Sequence, residues 1–356
     1  MHAAYITAPG PPEAITWGEL PVPGRGPTDV LVRVRAVAAD PVDTFVRSGA
    51  YPVPMPLPFV IGRDLVGHVE ASETTAFPPG LPVWCNSLGH GGRQGSFAEY
   101  VTVPADRLYP APDDLDPLDL VAAAHPAATA WLALVRHGRL RPGHRVFIGG
   151  AAGNVGSAAV ALAAASGATV IATAHPRDHA HVRALGATDV RDYRTDPPAA
   201  HPAAHLVRDP GDPGDSGDSG DSGDSGDQTP DHPDIRDSID LYVDTSGQGD
   251  PATAIDRLAH RGRLVIMSGL RQTPALPLGR LYTKDATVTG FAISNATVPE
   301  LADAAAGVIH LLRTTAWRPR ITTRLPLSQA AEAHRMLEDG RARGRVVLEA
   351  SGGGGS

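Results

Sequence analysis

One cysteine, Cys85, is all the thiol chemistry this 356-residue sequence offers, which excludes an intramolecular disulfide and a four-cysteine zinc site. Lysine is nearly absent: Lys284 stands alone beside thirty arginines, a bias read as that of a GC-rich genome. No basic stretch followed by an apolar run opens the chain, so no signal peptide is expected, and a reducing cytoplasm is the expected compartment. A basic face is missing too. The formal net charge is −8, and the segment 205–240, with eleven Asp against two Arg, carries all of it, so the body is near neutral and nothing invites nucleic acid. One uncharged stretch, residues 148–174, is long enough to span a membrane. It is mostly Ala and Gly and is interrupted by the turn cluster at 149–154, so it predicts a buried strand, turn and helix, and no membrane partner.

What is present falls into two textures. Residues 30–37, 65–70 and 98–103 alternate or run apolar between Pro- and Gly-rich turns, which predicts a small β-rich domain over 1–118. From 119 to 287 strand and helix patterns alternate: strands at 145–148, 169–173, 239–243 and 264–267, helices at 118–135, 155–165, 178–185 and 251–258. That rhythm predicts an α/β fold with a doubly wound parallel sheet of the Rossmann kind. Within it, residues 209–234 repeat Gly-Asp-Ser without a large apolar side chain, which predicts a disordered insert; weak cation binding is the alternative reading. Residues 288–350 return to the first style, with Ser328 placed to cap a helix that Gly340 ends and a strand at 345–349. Residues 351–356, Ser-Gly-Gly-Gly-Gly-Ser, read as a linker remnant.

The chemistry begins at Gly150, Gly153 and Gly156, between a predicted strand and an Ala-rich helix. In that context the spacing is a dinucleotide fingerprint: small residues let backbone amides approach a pyrophosphate at a helix N-terminus. An NAD site places an acid at the tip of the second strand. Here that strand runs into Ala174, His175, Pro176 and Arg177. A guanidinium clamps a 2′-phosphate, so the sequence favours NADPH; Arg177 is otherwise a solvated surface arginine.

These residues carry a resemblance. The run from Ala39 to Tyr51, the blocks Ile61-Gly62-Arg63-Asp64-Leu65-Val66-Gly67 and Gly95-Ser96-Phe97-Ala98-Glu99-Tyr100, Thr129-Ala130-Trp131, the glycine turn, Leu185-Gly186-Ala187 and Ala333-His334-Arg335-Met336-Leu337 occur in order. Together they resemble the zinc-independent quinone oxidoreductases, zeta-crystallin-like members of the medium-chain dehydrogenase/reductase superfamily. The resemblance implies a GroES-like catalytic domain around the Rossmann domain, a homodimer, and NADPH as hydride donor to a quinone or an α,β-unsaturated carbonyl. It places Thr129, Ala152, Gly153, Asn154, Val155, Arg177 and Tyr193 along the cofactor. Met267, Ser268, Gly269, Leu270, Phe291, Ala292 and Ile293 then lie along the nicotinamide, and Tyr51 near the substrate carbonyl.

Where zinc-dependent relatives hold a catalytic metal with Cys, His and Cys, this sequence has Asp40, Arg63 and His125. Arginine cannot ligate a metal, so the expectation is no metal and an Asp40–Arg63 pair in its place, with Tyr51, Asp40 and Arg63 as the catalytic group. Without a Lewis acid the acceptor must be conjugated, so that hydride adds to carbon and a donor such as Tyr51 meets the developing oxyanion. Three readings follow: a quinone or enone reductase, a tailoring enoyl reductase of a specialised pathway, or a nucleotide-binding protein with little catalysis.

Overall fold

Short apolar runs separated by turns build the start of the chain: β1 (His2–Ile6), β2 (Thr16–Glu19), β3 (Asp29–Ala39), α1 (Pro41–Ser48), β4 (Phe59–Val60), β5 (Asp64–Ala71), β6 (Pro82–Cys85), β7 (Tyr100–Pro104) and β8 (Tyr109–Pro110). The period of two in β3 buries Val30, Val32 and Val34 and leaves Arg33 and Arg35 exposed. From Ala36 onward both faces are buried, because Ala36 and Ala38 pack into the core shared with the second domain. The computed structural model describes residues 1–194 and 238–350, so the predicted acidic insert at 209–234 and the linker at 351–356 lie outside the described residues.

The second domain opens with α2 (Pro117–Trp131), whose first amides are capped by Asp116. It continues through a π-helical turn to His137. Residues 117–137 are long and apolar enough to cross a membrane, yet most of them are buried against neighbouring elements. Then come β9 (Arg145–Gly149), α3 (Asn154–Ala165), β10 (Thr169–Ala174), α4 (His179–Ala184), β11 (Asp189–Asp192), β12 (Ile239–Asp244), α5 (Pro251–Arg257), β13 (Leu258–Ile266), α6 (Leu278–Thr283), β14 (Thr287–Gly290) and α7 (Val298–Thr314). The six strands are parallel in the order β11-β10-β9-β12-β13-β14, so the winding reverses between β9 and β12. A ligand crevice opens at such a reversal, beyond the carboxyl ends of the strands. The apolar stretch 148–174 is the end of β9, the glycine turn, α3 and β10, as its composition predicts.

Two expectations are corrected, and the ends that flank the insert lie well apart. β11 and β12 run parallel with two strands between them, about 14 Å apart laterally, so the chain leaves β11 at the carboxyl edge of the sheet and enters β12 at the amino edge. The return to the first domain comes later than residue 288: β14 is the sixth strand of the parallel sheet and α7 packs on α2. Only β15 (Ile321–Pro326), α8 (Ala330–Glu338) and β16 (Arg345–Glu349) rejoin the β-rich domain. Finally, α8 starts from a 3-10 turn, Leu327–Gln329, with no side-chain cap, so Ser328 lies inside that turn.

β16 inserts between β15 and β3, pairing Val346 with Ala39, so the last strand completes the sheet β15-β16-β3-β5-β6-β8 begun by the first residues. This places Arg345 beside Asp40 at the junction of the two domains.

Candidate active site

The crevice at the sheet reversal is shaped by two glycines. Gly150 has a left-handed φ of 70°, and a Cβ on Gly156 would come within 2.2 Å of the Gly150 carbonyl oxygen, so no side chain fits there. Gly153 forms the N-cap of α3 without a side-chain hydrogen bond, which leaves the first amides of the helix free for an anion. Ala152, Gly153, Asn154 and Val155 therefore stand where a pyrophosphate fits. Met267, Ser268, Gly269 and Leu270 follow β13, and the Ser268 hydroxyl donates to the Asp244 carbonyl at 3.3 Å. Phe291, Ala292 and Ile293 follow β14; Phe291 stacks on His137 with ring centroids 4.4 Å apart, and Ile293 is buried. Thr129 sits on α2 with its hydroxyl donating to the His125 carbonyl at 2.8 Å.

At the far end of the crevice the structure adds an acid that the sequence reading missed. Ala174, the last residue of β10, lies opposite Asp192 of β11. That carboxylate is held by Arg194 through Nε at 3.1 Å and Nη2 at 2.8 Å. The Arg194 hydrogen bonds keep it strongly acidic, at about 2. Arg177 is exposed and donates to Asp178 at 3.3 Å, with Arg320 3.9 Å from the same carboxylate. Tyr193, between Asp192 and Arg194 in the chain, is exposed. Arg177, Arg194 and Arg320 thus outnumber the two acids they touch.

At the domain junction the expected Asp40–Arg63 pair is replaced by another. Asp40 accepts from Arg345 Nη1 at 2.6 Å, and the same guanidinium lies 3.7 Å from Asp64 through Nη2. Arg63 instead faces Asp43, with Nε 3.9 Å from Oδ1. All five side chains are nearly inaccessible. The reason is register: β16 brings Arg345 alongside the end of β3, and Arg63 follows Gly62, whose φ of 99° turns the chain where any Cβ would strike Phe97.

Burial raises the proton affinity of Asp40, but the charges of Arg345 and His125 outweigh it and hold the carboxyl at about 2. Asp64 sits farther from Arg345 and beside the charged Asp40, so burial and that repulsion push it well above the carboxylate range. Asp43 rises to about 7 for the same two reasons. Burial depresses His125 to about 4. The cluster therefore sets one firmly ionised carboxylate, Asp40, beside two carboxyls whose proton affinity burial and repulsion raise and an imidazole that burial keeps from charging, around two guanidinium groups.

Asp40, Asp64 and His125 converge, with ligand-type atoms within 4.8 Å of one another. His125 Nδ1 is 3.9 Å from Asp64 Oδ1. The guanidinium of Arg345 lies against two of these three donors, so a divalent cation among them would meet a fixed positive charge at contact distance. The donors themselves are of the kind zinc takes, and it is the Arg345 charge that opposes an ion there.

Beside the cluster, a hollow of about 210 Å³ is lined by Arg63, Asn86, Ser87, His90, Arg93 and Arg107, and is closed by Ile293, Ser294 and Leu301 from the second domain. Arg63 of the first domain and Ile293 of the second both line this hollow. Tyr51 is one step removed: its ring stacks on His90 at 6.4 Å, nearly parallel. A larger hollow of about 340 Å³ lies by β12, β13 and α5, away from this cluster.

The functional residues missed in the sequence are Arg345, Asp64, Asp43 and the polar loop 86–93. Each left a trace: an arginine opening the apolar run Val346-Val347-Leu348, an acid adjoining Arg63, and a Gly-rich polar loop between two strands.

Two family descriptions match the chain: "Alcohol dehydrogenase GroES-like domain" over residues 26–113 and "Zinc-binding dehydrogenase" over residues 224–348. The quinone oxidoreductase of Mus musculus is 28% identical and covers 98% of this chain and 97% of its own. The trans-enoyl reductase tazE of Aspergillus terreus is 37% identical over 213 residues, 54% of this chain and 68% of that one. A crystal structure of an NAD-dependent alcohol dehydrogenase superposes with a TM-score of 0.75 at 29% identity, covering 99% of this chain and 100% of that one.

Proposed function

The chain belongs to the quinone oxidoreductase family of the medium-chain dehydrogenase/reductase superfamily and is an oxidoreductase, and on that premise we propose that it transfers hydride from NADPH to a quinone or an α,β-unsaturated carbonyl. The observation that carries the reading is the junction itself: the cofactor crevice at the sheet reversal opens beside a buried, cation-lined hollow that Ile293 and Arg63 share. The reduced nicotinamide supplies the hydride when bound. The chain supplies position and electrostatics. The uncapped α3 terminus and Gly153 hold the pyrophosphate, Met267–Leu270 and Phe291–Ile293 flank the ring, and Arg63 faces the charge that develops on the acceptor oxygen. Tyr51, stacked on His90 at the edge of the hollow, serves as proton donor to that oxygen. Asp40 acts through Arg345 as a positioning residue.

NADPH is favoured over NADH by the excess of arginine around Asp178 and Asp192. The reaction runs without a metal, since the guanidinium of Arg345 lies against Asp40 and Asp64 of the Asp40–Asp64–His125 group. Two copies of the chain associate through the open edge strand β14, beside which Leu278 and Tyr282 are exposed.

A second reading, a tailoring enoyl reductase, is supported by the likeness to tazE. A third, a nucleotide-binding protein with little turnover, has no separate structural support. Oxidation of NADPH across a panel of quinones, enones and enoyl thioesters decides among them. Substrate-dependent oxidation by quinones or simple enones supports the proposal, oxidation by enoyl thioesters alone supports the second reading, and none supports the third.

A further inference from the structure

The hollow at the domain junction holds more hydrogen-bonding capacity than it uses. Arg63, Asn86 and Ser87 are 2%, 1% and 7% exposed. Among their side-chain atoms, Arg63 Nε and Nη2, both amide atoms of Asn86 and Ser87 Oγ have no hydrogen-bond partner, and neither does Arg93 Nε. Buried donors left unsatisfied are costly and uncommon in a native fold, and one standard explanation is a ligand not yet in place.

The charge is equally one-sided. Arg63, Arg93 and Arg107 line one hollow together with His90. The acid nearest Arg63 is Asp43, at 3.9 Å, beyond hydrogen-bonding reach. Arg93 reaches only the Ser87 carbonyl, at 3.3 Å. Asp106, next to Arg107, is exposed to solvent. The mutual repulsion registers on the groups themselves: burial first, then the neighbouring guanidinium groups, lower the proton affinity of both His90 and Arg93.

We propose that this hollow is an anion subsite and that the natural acceptor is a conjugated carbonyl compound carrying a carboxylate, which Arg93 and Arg107 hold with Asn86 and Ser87 while Arg63 faces the carbonyl oxygen. A planar carboxylate matches the guanidinium fork. Ile293 and Ser294 border the same hollow, so an anchored carboxylate orients the conjugated carbons toward the strand end that flanks the nicotinamide. The inference rests on the reductase reading and narrows its substrate class.

The test pairs acceptors that differ in charge alone: trans-3-benzoylacrylate with its methyl ester, and a sulfonated naphthoquinone with the parent naphthoquinone. In the full-length protein the anionic member of each pair is expected to have at least a tenfold higher kcat/KM, expressed mainly in KM. Arg93→Met with Arg107→Met, both partly exposed sites, brings the anion-to-neutral ratio toward one, whereas Arg93→Lys with Arg107→Lys keeps most of it. A second arm needs no turnover: calorimetric binding of the saturated 3-benzoylpropionate against its methyl ester, in the presence of NADP. Equal kcat/KM within both pairs together with equal binding overturns the subsite and leaves the reductase reading intact. Selective binding of 3-benzoylpropionate without NADPH oxidation by any acceptor supports the subsite and overturns the reductase reading.

Discussion

Arg63 and Asp64 are neighbours in the chain, yet they belong to two buried charge clusters of opposite character. Asp64 joins Asp40, His125 and Arg345, where opposite charges meet: Arg345 holds Asp40 at 2.6 Å and lies 3.7 Å from Asp64, while burial raises the proton affinity of Asp64 and lowers that of His125. Arg63 joins Arg93, Arg107 and His90, where cations accumulate around one hollow and the nearest acid, Asp43, stands 3.9 Å from Arg63. The first cluster is closed, and its chemistry is internal. The second is open, and its chemistry awaits a molecule from outside. Burial alone therefore does not identify a functional charge; the balance of partners around it does.

The sharpest way to break this contrast is to open the closed cluster. Arg345→Met leaves Asp40 buried without its cation, and we expect a loss of about 3–5 kcal/mol in chemical denaturation. Arg345→Met with Asp40→Asn recovers most of that loss, because no uncompensated charge remains. A loss below about 1 kcal/mol in the single variant would show that the pair does not balance the cluster.

Next is the response to pH. In the fold Asp43 binds its proton up to about pH 7, against about 4 when unfolded, so between these values the native state holds more protons than the unfolded one. Its contribution to stability is complete below about pH 4 and is lost as pH rises through 7. Asp43→Asn keeps the oxygen that accepts the Asp40 amide at 2.9 Å and removes the titration. Denaturation series at several pH values should then slope less steeply over this window; Asp64, raised in the same direction, keeps part of the slope. An unchanged slope assigns the window to Asp64 alone.

Two smaller changes act as controls outside both clusters. Arg177→Ala raises the KM for NADPH about tenfold, the value of one exposed charge-assisted contact, and leaves NADH use and acceptor preference unchanged. Equal use of NADH and NADPH by the unaltered protein contradicts this. Deleting residues 211–228 leaves melting temperature and turnover almost unchanged: loop length weighs little on stability, and the residues that remain easily span the distance from β11 to β12. A marked loss in either measurement gives the acidic repeat a function.

The parallel sheet was legible because period and spacing are local properties: a strand, three glycines and an Ala-rich helix announce themselves within a dozen residues. The alternation in β3 was legible for the same reason. The charge clusters were not, because their pairings join positions far apart. Asp40 pairs with Arg345 across 305 residues, and no local pattern ranks that arginine above Arg63. Of the three positions expected to converge, Asp40 and His125 do and Arg63 turns to Asp43; which cation stands beside Asp40 is set by the register of β16 on β3. The later return to the first domain was missed because β14 is only four residues long and α7 resembles any amphipathic helix.

That same register has a consequence for synthesis. On the ribosome Asp40, Asp64 and their sheet emerge early, while the arginine that balances them is made 305 residues after Asp40. At about 5–20 residues per second, roughly 15–60 s separate the two. Through that interval the β-rich domain lacks both the strand that lies against β3 and the cation that lets Asp40 stay ionised in the interior. The parallel sheet, contiguous in the chain, can fold in the meantime; the reaction centre closes only when the final strand arrives.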